Sequence, residues 1–387
     1  MRVCIVYDCL FPHTVGGAER WYRALAERLA ADGHEVTYLT LRQWERGEGP
    51  GVPGVRVRIV GPRMALYDAP GHRRILPPLV FGAGVLWHLL RHGRRYDVVH
   101  TCAFPYFSLL AAALARRAGG YRVVVDWFEV WSPQYWREYL GRLGAIGVLV
   151  QRLCVRVRQR AFCFSRLYAT RLRAEGLRGE ITMLAGAYEG PLEPSAPVPP
   201  EPLIVFAGRH IPEKRVSAIP PAIAALRERL PDVRATIFGD GPERDVTRRE
   251  IERLGLSEVI SLPGFVATEQ VDAGIARAMC LLLPSRREGY GLVVVEAAAH
   301  GTPSVVVAGP DNAAVELVQD GINGVVAPDA SPQALAAAIE RVADAGETMR
   351  ASTRRWFEDN AERMSLARSL QIALDTYADT APWGNRG

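Results

Sequence analysis

P-L-E-P-S-A-P-V-P-P-E-P, residues 191–202, divides this chain in two. Six prolines in twelve residues remove backbone donors and fix φ, so the stretch reads as a stiff, extended linker. Working outward, the same pattern runs on both sides of it. Before the linker, short β-branched strands are expected near residues 2–7, 35–40, 55–60, 97–100, 123–126, 161–164 and 181–184. After it, strands are expected near 203–207, 234–238, 259–261, 280–283, 304–307 and 324–326, with helices between them. Such runs suit strands buried on both faces of a parallel sheet. The expected fold is α/β: two doubly wound, Rossmann-like domains facing across a cleft at the carboxyl ends of both sheets. A length of 387 residues and 49% hydrophobic content suit two such cores.

The chemistry sits just after the strands. G-R-H-I-P-E-K, residues 208–214, places Arg209 and Lys214 on one strand-to-helix turn. Lys214 is the single lysine among 47 basic residues. A composition biased that far replaces lysine wherever a solvated charge is enough, which marks this position. Two cations on such a turn form a cradle for a diphosphate, because the following helix offers free N–H groups. Taken alone, the stretch fits two surface charges on a loop equally well.

A second stretch shifts that balance. P-S-R-R-E-G-Y-G-L-V-V-V-E-A-A-A-H-G-T-P, residues 284–303, follows an apolar strand and runs into a helix from about Leu292. Gly289 and Gly291 flank Tyr290 and open the backbone at the helix start. Glu288 and Glu296 stand eight apart, and carboxylates beside an anion site are favourable when they accept hydroxyl hydrogen bonds. Sugars supply those: Glu288 suits hydroxyls of a hexose and Glu296 those of a ribose. A solvated helix face is the bland alternative for an isolated Glu pair.

With these motifs in order, the chain resembles glycosyltransferase family 4: Gly-Arg with a lysine five residues on, then E-x7-E running into E-A-x-A-x-G-T-P. The resemblance covers most of the chain and implies a retaining enzyme of GT-B fold that uses a nucleotide-sugar donor. It assigns residues 1–190 to an acceptor-side domain and 203–355 to the donor domain. Residues 356–387 become a helix crossing back to the first domain. Arg209, Lys214 and Glu288 become the catalytic candidates. Gly16 and Gly17 of the first turn, Val266 of G-F-V, and Gly289, Tyr290, Gly291, Leu292 and Glu296 become donor-binding. Same-face attack, with the departing phosphate taking the acceptor's proton, is the implied chemistry. It needs no cofactor and no protein nucleophile, and no Asp-rich metal motif stands out. The expected partners are the nucleotide sugar and a hydroxyl acceptor: a glycan, a lipid or a natural-product aglycone.

One segment departs from that family. V-V-V-D-W-F-E-V-W-S-P-Q-Y-W, residues 123–136, carries Phe128 where relatives place a histidine beside the reacting sugar. Phenylalanine cannot hydrogen-bond a hydroxyl. Either Glu129 takes over or the donor lacks that group, as a deoxyhexose would. Phe128, Glu129, Trp131 and the strand-end His100 form the candidate acceptor or sugar pocket, with aromatic core packing and a structural histidine as alternatives.

Other classes lose support. The first βα turn, residues 8–20, carries no G-x-G-x-x-G and no G-x-x-x-x-G-K-[ST], which disfavours dinucleotide redox and P-loop chemistry. A net charge of +5, spread rather than clustered, does not indicate nucleic-acid binding. Six cysteines without C-x-x-C or metal spacing point to a reduced, cytoplasmic compartment. The most apolar run, residues 75–90, is broken by prolines and glycines. It should pack on the sheet rather than span a bilayer, and its flanking arginines leave peripheral contact with the inner membrane face open. Two competing readings remain: a non-catalytic nucleotide-sugar-binding partner, and a sugar-nucleotide 2-epimerase.

Overall fold

A computed structural model describes residues 1–14, 16–45, 49, 51–66, 73–184 and 186–379. They form two compact units. The first takes the described residues up to Ala187 and those from Leu366 onward; the second is Tyr188–Ser365.

The first unit is built on seven strands, β1 (Arg2–Val6), β2 (Glu35–Leu41), β3 (Val55–Gly61), β4 (Val98–Cys102), β5 (Arg122–Trp127), β6 (Gln159–Cys163) and β7 (Gly179–Met183). They lie in the order β3-β2-β1-β4-β5-β6-β7, with every pairing parallel. Central β4 is buried along its whole length, as continuous apolar runs require when both sheet faces are covered. Helix α1 (Gly17–Ala31) follows β1. Then come α2 (Leu76–His92), α3 (Phe107–Gly119), α4 (Pro133–Leu140), α5 (Gly144–Val155) and α6 (Arg166–Ala174).

The apolar run at 75–90 is helical despite its prolines and glycines. Pro77 and Pro78 occupy the first turn of α2, where a missing N–H costs nothing. A Cβ on Gly82 would lie 2.7 Å from that of Phe107, and one on Gly84 would strike the Val60 carbonyl at 1.9 Å. The glycines therefore let α2 settle closely on α3 and β3. Among the described residues, no helix is long and apolar enough to cross a membrane.

The second unit repeats the plan. Its main strands are β8 (Leu203–Ala207), β9 (Arg234–Phe238), β10 (Ile260–Gly264) and β11 (Cys280–Leu283). A two-residue strand β12 (Arg287–Glu288) precedes β13 (Ser304–Val307), and a second, β14 (Asp311–Asn312), precedes β15 (Gly324–Ala327). The parallel sheet runs β10-β9-β8-β11-β13-β15, and β12 pairs separately with β14. The helices are α7 (Ile219–Leu226), α8 (Arg244–Arg253), α9 (Thr268–Arg277), α10 (Leu292–Ala299) and α11 (Pro332–Met364).

The C-terminal run was expected to leave the second domain at residue 356. Phe357, Ala361 and Met364 instead lie in the second unit's core. Only the last helix, α12 (Leu366–Ala378), belongs to the first unit. The break falls at Ser365, whose extended backbone (φ −70°, ψ 148°) ends α11.

Candidate functional site

In the second unit the strand order reverses between β8 and β11, so the loops leaving their carboxyl ends face a common crevice. Those loops are residues 208–214 and 284–291, the two stretches that the sequence singles out. The structure ties them together. Lys214 Nζ lies 2.5 Å from Glu288 Oε1. The Arg286 backbone N–H donates to the Glu213 carbonyl at 2.8 Å, and the Arg287 guanidinium lies 3.7 Å from the Glu213 carboxylate. Lys214 and Glu288 keep only 19% and 8% of their side chains exposed, so this is a largely enclosed ion pair. Lysine brings three N–H donors and Glu288 two acceptor oxygens. One of each is used between them, which leaves donors for an anion and an oxygen for a hydroxyl. Arg209 stands exposed on the same loop.

Asn312 and Gly239, which the sequence did not single out, and His210, whose place in the cleft the sequence left undecided, hold the loops in place. Asn312 is 2% exposed. Its Nδ2 donates to the Ser285 and Val307 carbonyls at 3.0 and 2.8 Å, and its Oδ1 accepts from the Ala314 N–H. It thereby fixes β14 beside β12, the strand that carries Glu288. On the other side, His210 is fully buried, its Nε2 lies 3.3 Å from the Phe238 carbonyl, and burial lowers its pKa. Gly239 completes that contact. Its φ is +110°, and a Cβ there would lie 1.9 Å from the Gly208 carbonyl oxygen. The G-D-G-P-E run after β9 (residues 239–243) and the N-A pair at 312–313 were the available signals.

The helix start behaves as the glycine pattern suggests. Gly291 has φ +99°, a left-handed conformation suited to glycine, and a Cβ there would lie 2.7 Å from that of Ala314. Helix α10 then begins at Leu292 without a side-chain cap. Glu296 follows one turn in and is half-buried, as are Gly289 and Tyr290. Burial pushes the Tyr188 phenol up to about 12, and the Glu296 carboxylate adds in the same direction. Val266 packs against the unit's core while its neighbour Phe265 is 74% exposed.

In the first unit, Gly16 precedes α1 and caps it with no side chain. A Cβ on Gly16 would press on the Glu19 carboxylate, whereas one on Gly17 would meet nothing within 4 Å. At the end of β1, buried Asp8 pairs with Arg73, a partnership that sequence spacing did not reveal.

Two proposed pocket residues prove to be core. His100 is 0% exposed. Its Nδ1 hydrogen-bonds the Tyr377 hydroxyl of α12, and its Nε2 lies 3.0 Å from Asp126 Oδ1, outside hydrogen-bond geometry. Its register on β4 turns it inward, so it anchors the last helix instead of lining a pocket. Trp131 is buried against Trp136, Tyr135 and Phe104, with ring centroids 4.6, 4.8 and 5.0 Å away. Its indole N–H donates to Glu129 Oε2 at 2.8 Å. At the centre of this aromatic cluster, Gln151 accepts from the Trp131 N–H and the Trp136 indole. Phe128 and Glu129 remain half-exposed. Phe128 stacks on Phe164 at 5.2 Å and meets Tyr22 edge-on at 6.4 Å.

Comparison with known proteins agrees with this fold. Residues 193–364 match the family described as glycosyl transferases group 1, and residues 16–186 the glycosyl transferase 4-like domain. The chain is 32% identical over 178 residues to alpha-D-kanosaminyltransferase of Streptomyces kanamyceticus, covering 46% of this chain and 44% of that protein. It is 32% identical over 169 residues to the GDP-mannose-dependent alpha-(1-6)-phosphatidylinositol monomannoside mannosyltransferase of Mycolicibacterium smegmatis, covering 41% and 44%. The matched stretch thus spans less than half the length of these relatives. Sucrose-phosphate synthase from Thermosynechococcus elongatus shares the fold with a TM-score of 0.79 at 17% identity, covering 98% of both chains. Anabaena HepE in complex with UDP and glucose does so with a TM-score of 0.74 at 19% identity, over 98% of this chain and 100% of that one.

Proposed function

For a chain that belongs to the family-4-like glycosyltransferases, with a 4-like and a group 1 domain in tandem, we propose transfer of a hexose from a nucleoside-diphosphate sugar to a hydroxyl acceptor. The observation that carries this reading is the enclosed Lys214–Glu288 pair beside the open start of α10. Lys214 and Arg209 meet the charge that builds on the diphosphate as the glycosidic bond to it breaks. A positioned donor such as Lys214 is typically worth ~3–4 kcal/mol in an enclosed site, and the exposed Arg209 less. The free oxygen of Glu288 accepts a sugar hydroxyl and holds the hexose against the departing group. Glu296 does the same for the ribose.

The acceptor oxygen bonds to the anomeric carbon on the face the phosphate leaves, and its proton passes to a phosphate oxygen. Configuration is retained, and neither a protein nucleophile nor a metal enters the step. Phe128 cannot hydrogen-bond a hydroxyl, which favours a deoxyhexose or another sugar lacking the group that a histidine would hold. The same residue motivates a second reading, a non-catalytic binder of nucleotide sugars. That the protein works in the cytoplasm is part of the proposal.

Thermal melting with UDP, GDP, ADP and dTDP tests the site, and release of nucleoside diphosphate from the matching sugar donor tests catalysis. A nucleotide-specific rise in melting temperature with turnover supports transfer. A rise without turnover favours the binder, and no rise with any nucleotide removes the donor-site assignment.

A further inference from the structure

Three helices of the first unit, α2, α3 and α5, share one chemistry. None contains an aspartate or glutamate, and their charged side chains are arginines with histidine at positions 88 and 92. Right-handed crossovers place the helices that follow β3, β4 and β5 on one face of the sheet, opposite α1. Inwardly this layer is ordinary: Phe81, Val85 and Leu89 of α2 are fully buried.

Its outer side is not. Leu76, Leu79, Trp87 and Leu90 are 60%, 43%, 60% and 53% exposed, at i, i+3, i+11 and i+14, which is one stripe of a helix. On α5 and its first flanking residue, Leu143, Ile146, Leu149 and Leu153 repeat the stripe at three- and four-residue steps, each at least 45% exposed. Including Ile75, nine of the sixteen large apolar side chains exposed among the described residues lie on these two helices or their caps. Singly scattered apolar residues need no explanation, but a concentration of this size marks an interaction face. Arg74, Arg91, Arg94, Arg142 and Arg152 are exposed around it, and Arg91 lies 3.6 Å over the Trp87 ring. Between the two stripes a cavity of about 280 Å³ opens, lined by Ile75, Pro78, Phe104, Leu143, Ile146 and their neighbours.

We propose that this face docks on an anionic lipid bilayer. Apolar stripes rimmed by arginines and free of carboxylates complement a surface that is apolar below and negative above. Helix α4, which also follows β5, adds one exposed carboxylate, Glu138, beside the exposed Arg137, so exposed arginines still outnumber carboxylates across the face. The cavity between the stripes is lined almost wholly by carbon and would admit a single lipid chain. This inference stands whether or not the donor assignment holds, because it rests on other residues and a different readout.

The test is flotation of the whole chain with phosphatidylcholine vesicles, with and without phosphatidylglycerol, at low and high salt. Binding is expected to the anionic vesicles and to weaken with salt. Trp87→Ser/Leu149→Ser should lower the partition coefficient more than about tenfold, since both side chains lose an apolar environment. Arg91→Gln/Arg142→Gln should lower it about fivefold per arginine, on anionic vesicles only. All four positions are exposed, so the variants should melt with the parent. The proposal is overturned if the chain floats with neither vesicle, or if both variants bind as the parent does. It is equally overturned if light scattering shows self-association that Trp87→Ser/Leu149→Ser abolishes and no vesicle binding accompanies it.

Discussion

Replacing Lys214 by alanine should damage the protein twice, and the two effects can be separated. The first is stability. Glu288 keeps 8% of its side chain exposed, and the Lys214 ammonium lies 2.5 Å from it. Removing one member of a buried pair typically costs about 3–5 kcal/mol, because a charge is left behind. Lys214 is itself 19% exposed, so water reaches the site and about 2–3 kcal/mol is the expected loss. For a unit of this size that lowers Tm by roughly 5–10 °C. Lys214→Ala/Glu288→Gln removes the stranded charge and should recover at least about 1 kcal/mol, a coupling within the range for contacting residues. The second effect is on the ligand. A nucleoside diphosphate at one hundred times its dissociation constant stabilises by ~2.7 kcal/mol. Loss of a charged hydrogen bond weakens binding by about 1.5–3 kcal/mol, so the same concentration should stabilise Lys214→Ala by only about 0.3–1.3 kcal/mol. Lys214→Arg separates charge from shape: a planar fork replaces a compact ammonium, so stability should largely return while the nucleotide shift does not. The assay is thermal melting of the parent and three variants with and without the preferred nucleotide. A Lys214→Ala protein that melts with the parent and keeps its full nucleotide shift would refute both the pairing and the assigned role.

Three further outcomes follow from other parts of the structure. Tyr377→Phe should destabilise by about 1–3 kcal/mol, since it strands His100 Nδ1 in a site with 0% exposure; unchanged melting and unchanged proteolysis of the last helix would remove the anchor. Gly291→Ala should cost about 1–3 kcal/mol, because φ is +99° and the new Cβ would sit 2.7 Å from that of Ala314; it should also weaken nucleotide binding, and a melt equal to the parent's contradicts the fit. Acid should destabilise the fold before its carboxylates titrate. Burial, with His92, Arg58 and Arg95 nearby, lowers His88 to about 4, and burial also lowers His210 and His300. A folded pKa below the unfolded value of about 6.5 means that the unfolded chain binds the proton first. Stability is then lost as pH falls from about 6.5 towards 4, and His88→Gln should flatten that slope; an unaltered slope excludes His88 as a contributor.

The sequence and the structure agree most closely where a feature is local. Prolines in the linker, β-branched strands and the glycines around Tyr290 each act within a few residues, so their consequences could be read in order along the chain. What could not be read depends on which strands become neighbours. Arg73 reaches Asp8 from sixty-five residues away, and Asn312 holds the Ser285 carbonyl from twenty-seven. His100 illustrates the same limit within one strand. Its position at a strand end suggested the crevice, yet side chains alternate across a sheet, and register alone put this one beneath α12. Trp131 was ambiguous for a different reason. A run of aromatics packs a core and lines a pocket with the same composition, and only the hydrogen bonds to Gln151 and Glu129 decide between them.

The pairing of Lys214 with Glu288 also bears on how a donor would be recognised. In the free protein each charge is held by the other, so the enclosed site stays compensated before any ligand arrives. A nucleoside diphosphate alone would bring negative charge towards Lys214 and draw it partly from Glu288, leaving that carboxylate short of donors. A complete nucleotide sugar would bring hydroxyls to the same oxygen and restore what the phosphates took. On the proposed donor assignment, recognition of phosphate and of sugar would be one coupled exchange, because a carboxylate left short costs more in an enclosed site than in water. A chain that has exchanged every other lysine for arginine would retain the ammonium here for that reason: it can turn towards phosphate on a flexible stem, whereas a planar guanidinium committed to Glu288 cannot serve both partners.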